Sequence, residues 1–261
     1  MATDILKGLN FNQREAVETI DGPLLIIAGP GSGKTRVITH RIAYLVQVCG
    51  ATPYSIAAVT FTNKAAREMR ERLYPILGPD ARDLTVSTFH AFCAMVLRRE
   101  GHSIGLNRDF VIYDDADQIS LTKRSMNEAN VDPKQFSPRA TLSAISNAKS
   151  KLIDVEDFGL KKEDYWDEIV FRVYERYEQL LSQSSAVDFD DLLLKTYFLF
   201  EQFPEIANIY QKRYLHFMID EFQDTNITQY SIAKQISQHY RNLCVVGDPD
   251  QSIYSWHNAD I

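Results

Sequence analysis

Apolar positions along the 261-residue chain follow two periods that take turns. Short apolar runs at residues 24–28, 56–61, 84–87, 214–220 and 243–247 each have the length of a buried strand. Between them the apolar residues recur three or four apart. Ile38, Ile42, Leu45 and Cys49 form one such stripe, Ala65, Ala66, Met69 and Leu73 a second, and Phe89, Phe92, Met95 and Val96 a third, while residues 228–240 are also helix-like. Thr62 or Asn63 caps the second helix. Strands alternating with helices at this spacing predict an α/β fold with a parallel sheet and right-handed crossovers. Loops that carry chemistry then lie at the carboxyl ends of the strands.

Between about residues 109 and 185 the pattern changes. Only residues 110–113 look like a strand, and the rest is helical with breaks at Asp132-Pro133 and Ser137-Pro138. This stretch is expected to be an inserted, mostly helical subdomain, so that residues 1–109 and 186–261 form two segments of one α/β domain around residues 110–185. Tyr165, Ile169, Val173, Tyr177 and Leu181 recur every four residues in the insert, and such a stripe is read as core rather than as a base-stacking surface.

Composition narrows the class. No apolar run approaches a membrane span, and the first twelve residues lack the basic start and apolar centre of a signal peptide, so a cytoplasmic protein is expected. Cys49, Cys93 and Cys244 are odd in number and far apart, which suits buried thiols better than disulfides or zinc. The net charge of -7 argues against a nucleic-acid coat protein. Basic residues nevertheless cluster locally. Lys64, Arg67, Arg70 and Arg72 share a stretch with Glu68 and Glu71, which reads as a solvated helix face, and Lys34, Arg36 and Arg41 follow the first strand.

The first strand runs into Ala28-Gly29-Pro30-Gly31-Ser32-Gly33-Lys34-Thr35, a glycine-rich turn that opens a helix. Alternating glycines leave room for backbone N–H groups to face phosphate oxygens, and the helix start adds unpaired N–H donors and a positive dipole end. In such a loop Lys34 reaches the β and γ phosphates and the Thr35 hydroxyl binds Mg²⁺; Ala28 stands where the strict pattern has glycine. The later strand 217–219 ends in Asp220-Glu221. There one carboxylate can hold the metal while its neighbour takes a proton from water. Asp188, Asp190 and Asp191 allow either a metal cluster or the capped start of a helix over 192–200, and capping is the preferred reading.

Asp220-Glu221-Phe222-Gln223-Asp224-Thr225, taken with five further segments in order, resembles the UvrD/PcrA/Rep group of superfamily 1 DNA helicases. Those segments are residues 9–17, 28–36, 60–66 with 86–90, 187–192, and 245–256. The resemblance implies a RecA-like P-loop NTPase domain, ATP and Mg²⁺ as cofactors, and a site that includes Gln13 on adenine, Arg36 near phosphate and Gln251 as γ-phosphate sensor, with Lys34, Asp220 and Glu221 in the roles given above. It implies single-stranded DNA and its junctions with duplex as partners, held by Phe61, Asn63, His90, Tyr254, Trp256 and His257. It also implies 3′ to 5′ translocation and duplex unwinding. His257-Asn258 departs from the family's usual Arg-Gly, which predicts a gentler salt dependence of DNA binding near neutral pH. The chain stops after the sixth segment, where relatives continue into a second motor domain. Little turnover and no unwinding are therefore expected of these 261 residues alone. A helicase-like subunit of a helicase–nuclease complex and a non-catalytic nucleotide-binding module are the alternatives.

Overall fold

A computed structural model describes residues 5–248 and 250. The chain divides into two compact units. One comprises the residues up to Phe92, Phe203–Thr225 and those from Gln229 onward; the other comprises Cys93–Gln202 and Asn226–Thr228.

The first unit is built on five parallel strands in the order β1-β7-β6-β2-β3. They are β1 (Leu24–Ile27), β2 (Ile56–Thr60), β3 (Thr85–Thr88), β6 (His216–Ile219) and β7 (Leu243–Gly247). The short apolar runs of the sequence thus all become strands of one sheet. β2 and β6 are buried at every position, as expected for strands covered on both faces. β1 differs, because Leu25 and Ile27 are 60% and 68% exposed while Leu24 and Ile26 pack against the core. It forms one edge of the sheet among the described residues.

Helix α1 (Phe11–Glu18) is fixed at its start by a capping box, in which the Asn10 side chain accepts from the Gln13 N–H and the Gln13 side chain accepts from the Asn10 N–H. Helix α2 (Lys34–Gln47) buries Ile38, Ile42 and Leu45 against Ala58, Met69, Leu73, Met218 and Val246. Burial of each such side chain favours the fold by about 1.5–3 kcal/mol. Thr62 caps α3 (Asn63–Leu77) through its hydroxyl and the Ala65 N–H. Helix α4 (Phe89–Glu100) follows β3 directly.

The second unit contains β4 (Val111–Ile112) and β5 (Ala186–Val187), a two-stranded parallel pair, and the helices α5 (Asp115–Glu128), α6 (Pro138–Ser150), α7 (Val155–Leu160), α8 (Tyr165–Gln183) and α9 (Phe189–Gln202). The stripe on α8 is core at Ile169, Val173, Tyr177 and Leu181, whereas Tyr165 in its first turn is exposed. Asp188 caps α9, since its carboxylate accepts from the Asp191 N–H at 2.7 Å. The remaining helices are α10 (Pro204–Arg213) and α11 (Ile227–Ser237). No helix among the described residues is long and apolar enough to cross a membrane. Of the three thiols, Cys93 and Cys244 are buried, but Cys49 is exposed just beyond the end of α2.

Candidate functional site

Five carboxyl ends of parallel strands lie in one row, and every described candidate except Gln13 follows one of them. The glycine-rich loop continues β1, Asp248 follows β7, Asp220 and Glu221 follow β6, Phe61 follows β2, and His90 stands two residues beyond β3. The register Thr60↔Thr88 brings the last two segments side by side. Sheet order therefore sorts the candidates into a phosphate half on β1, β7 and β6 and a second half on β2 and β3.

The loop is closed by its own bonds. Ala28 N–H extends the β1–β7 ladder to the Gly247 carbonyl, and the Ser32 hydroxyl donates to the Gly29 carbonyl at 2.6 Å. Gly33, with φ 86°, turns the chain into α2 through the left-handed region, and a Cβ there would stand 3.3 Å from Gln13 Nε2. Gln13 itself donates from Nε2 to the Ser32 carbonyl at 2.8 Å. The residue expected to read adenine thus also props the loop. Gly29, Pro30, Gly31, Gly33, Lys34, Thr35 and Arg36 line a cavity of about 400 Å³ together with Arg72 and Glu221. A larger cavity of about 660 Å³ in the second unit, lined among others by Leu106, Tyr174, Leu194 and Lys195, has no such loop.

Lys34 is buried, and its Nζ lies 3.7 Å from Asp248 Oδ2 and 3.9 Å from Glu221 Oε2. The Thr35 hydroxyl donates to Asp220 Oδ2 at 3.3 Å. Burial, with the charge of Glu221 added, pushes the Asp220 carboxyl up to about 6, and the same two causes raise Asp224 to about 6. A hydroxyl and a carboxylate side by side are hard oxygen donors, the set that Mg²⁺ takes with its own waters and phosphate oxygens. A bound cation here would also favour the charged form of Asp220.

Glu221 is in the left-handed region, with φ 53° and ψ 50°. That twist separates it from Asp220, so two adjacent carboxylates serve different points. The Gln223 amide then accepts the Asp248 N–H at 2.9 Å and donates to Glu221 Oε2 at 2.8 Å. Arg36 lines the cavity and, among the described residues, makes no ion pair with Glu221 or Asp224. Arg41, close to the loop in sequence, turns away from it. It is 1% exposed, and its guanidinium donates to the carbonyls of Ala16, Thr19 and Ile20 at the end of α1 rather than facing the loop.

Asn63 is exposed in the first turn of α3, while Phe61 and His90 are half-buried. Gln251, Tyr254, Trp256 and His257 lie outside the described residues. Three participants escaped the sequence reading. Asp248 ends an apolar strand as Asp220 does, and that parallel was a usable signal. Gln223 had none beyond its place after Glu221, and Arg72 reaches the cavity from a helix that read as solvated.

Asp188 and Asp191 prove to be more than a cap. Both accept from Lys149 Nζ, at 2.7 and 2.8 Å, and Glu178 approaches the same nitrogen at 2.5 Å. Glu178, Asp188 and Asp191 are close enough to hold a metal, but the Lys149 ammonium already occupies their centre.

A family model described as the UvrD/REP helicase N-terminal domain matches residues 9–261. The chain is similar to an ATP-dependent DNA helicase PcrA of Bacillus subtilis, 51% identical over all 261 residues, and to PcrA of Staphylococcus aureus, 48% identical over 257 residues or 98% of the chain. It spans 35% of the length of each of these relatives.

Proposed function

We propose that this chain, which belongs to the UvrD/REP helicase N-terminal domain family, is the ATP- and DNA-binding first motor half of a 3′ to 5′ DNA helicase. The observation that carries the reading is the meeting of Lys34, Thr35, Asp220, Glu221 and Asp248 around one glycine-rich loop at the carboxyl ends of β1, β7 and β6.

In this reading the loop N–H groups and the start of α2 cradle the phosphates of ATP, and Lys34 leaves its carboxylate partners for the β and γ oxygens. Thr35 and Asp220 hold Mg²⁺. The ion, when bound, neutralises charge on the transferred phosphate. Glu221 orients a water and takes its proton, with Gln251 sensing the γ phosphate. Gln13 meets adenine, and Arg36 and Arg72 offer further positive charge at the cavity rim. Phe61, Asn63 and His90 on the β2–β3 half, with Tyr254, Trp256 and His257, form a sequence-tolerant track for single-stranded DNA and for its junction with duplex. Stacking contributes about 1–3 kcal/mol per base on such a track.

The test is ATP turnover by the full-length protein with and without single-stranded DNA. DNA should stimulate turnover, and Lys34→Ala and Glu221→Gln should each reduce it at least about 100-fold, as loss of a proton acceptor or phosphate contact does. Turnover that Glu221→Gln leaves intact removes the general base, and no DNA-stimulated turnover at all removes the motor.

A further inference from the structure

Gln223 is 3% exposed, in a 3-10 turn (Phe222–Asp224) directly after the proposed base. Its Nε2 donates to Glu221 Oε2 at 2.8 Å, and its Oε1 accepts the Asp248 N–H at 2.9 Å. Lys34 closes the circuit from the other side, 3.9 Å from the same Glu221 oxygen and 3.7 Å from Asp248 Oδ2. Gly247 is part of the fit, because a Cβ there would come within 2.9 Å of Gln223 Oε1 and 3.3 Å of its backbone N. Side chains with a donor at one end and an acceptor at the other are few. A carboxylate at this position would repel Glu221, and an apolar residue would leave the Asp248 N–H without this acceptor.

We propose that Gln223 is a positioning residue for hydrolysis. It holds Glu221 Oε2 in a fixed bond, leaves Oε1 as the oxygen that faces water, and ties the base to the end of β7, so that Glu221 and Asp248 move as one body. The proposal rests on Glu221 being the general base. The left-handed backbone at Glu221 aims its side chain, and Gln223 then removes the remaining rotamer freedom. A base misplaced by an ångström loses about 10- to 100-fold in rate while ground-state contacts to the nucleotide persist.

The experiment uses the full-length protein with single-stranded DNA, comparing wild type, Gln223→Met, Gln223→Glu, Glu221→Gln and the double variant Glu221→Gln with Gln223→Met. Expected are a fall in kcat of about 10- to 100-fold for both Gln223 variants. The dissociation constant of a non-hydrolysable ATP analogue should stay within about threefold of wild type, since uniform binding is untouched. The double variant should turn over no more slowly than Glu221→Gln alone, because Gln223 acts only through Glu221. Retained analogue binding also shows that the variants fold. A wild-type kcat in Gln223→Met, a loss that appears in analogue binding rather than kcat, or losses that multiply in the double variant would each overturn the positioning role. A wild-type protein without turnover would instead overturn the motor reading, and the positioning role with it.

Discussion

Replacing Lys149 by methionine tests whether the second unit depends on a buried charge cluster. The side chain is fully buried, and its ammonium lies 2.5, 2.7 and 2.8 Å from Glu178, Asp188 and Asp191. Those carboxylates draw the Lys149 proton affinity well above its ordinary value despite the opposing effect of burial. Methionine keeps the bulk of the stem and deletes the charge. Lys195 remains 3.1 Å from Glu178 and 3.4 Å from Asp191, so two of the three carboxylates keep a cation, and Asp188 is the one stranded. Removing one partner of a buried ion pair costs about 3–5 kcal/mol. Asp188 is already raised to about 7 by burial and by the charge of Asp191, so a stranded Asp188 escapes by taking up a proton. The penalty should therefore be near its full value at pH 8 and clearly smaller at pH 5.5. With a urea m-value of about 2 kcal/mol/M, the midpoint for the second unit moves down by about 2 M at pH 8. Adding Asp188→Asn, which removes the stranded charge and keeps an accepting oxygen at the start of α9, should recover most of the loss. A midpoint change under about 0.5 M at pH 8, or one equal at both pH values, would show that the second unit does not depend on the Lys149 charge.

Further expectations concern the first unit. Arg41→Met removes charged donors from the carbonyls of Ala16, Thr19 and Ile20, at a cost of about 2–4 kcal/mol, and frees α1 with Gln13; titration with fluorescent ATP and GTP analogues should show discrimination between bases fall while phosphate binding remains. Gly247→Ala forces a Cβ to 2.9 Å from Gln223 Oε1, which should cost about 1–3 kcal/mol in thermal unfolding and reduce turnover more than nucleotide affinity. His216 is held down to about 4 by burial and by Arg41, so an NMR titration of its ring should have its midpoint near 4, not near 6.5. A folded-state pKa below the unfolded value means that the unfolded chain binds the extra proton, so His216 contributes stability that is intact above pH 6.5 and declines by up to about 3 kcal/mol as pH falls toward 4. Asp188, in the second unit, has the opposite sign: its raised pKa contributes stability that is present at pH 4 and lost as pH rises through about 7.

Elements set by local signals were legible in the sequence. The apolar runs became strands, Thr62 capped α3, and Lys34, Thr35, Asp220 and Glu221 converge because each follows a strand of one parallel sheet. Long-range pairings were not. Lys149 lies 39 residues before Asp188, and nothing in either segment announces that an ammonium fills the space between carboxylates that suit a metal. Arg41 read as a basic residue near the phosphate loop, yet its place on α2 turns it toward the end of α1, where three carbonyls await a donor. Leu25 and Ile27 read as buried in an apolar run, but they share one face of the edge strand β1 that is left exposed, while Leu24 and Ile26 on its other face pack against the core. Cys49 continues the α2 stripe by spacing, but the helix ends at Gln47 and the stripe ends with it.

The left-handed backbone at Glu221 makes that position a poor one for the fold and a good one for the chemistry. Glycine relieves the conformation at no steric cost, and asparagine or aspartate tolerates it, but none of the three carries a carboxylate to the place where glutamate puts it. Mutational paths that ease the backbone therefore all abandon the base. Glu221→Gly should abolish turnover while destabilising the protein less than Glu221→Ala, because both lose the bonds to Gln223 and Lys34 but only glycine relieves the backbone, a trade-off between stability and activity confined to one residue.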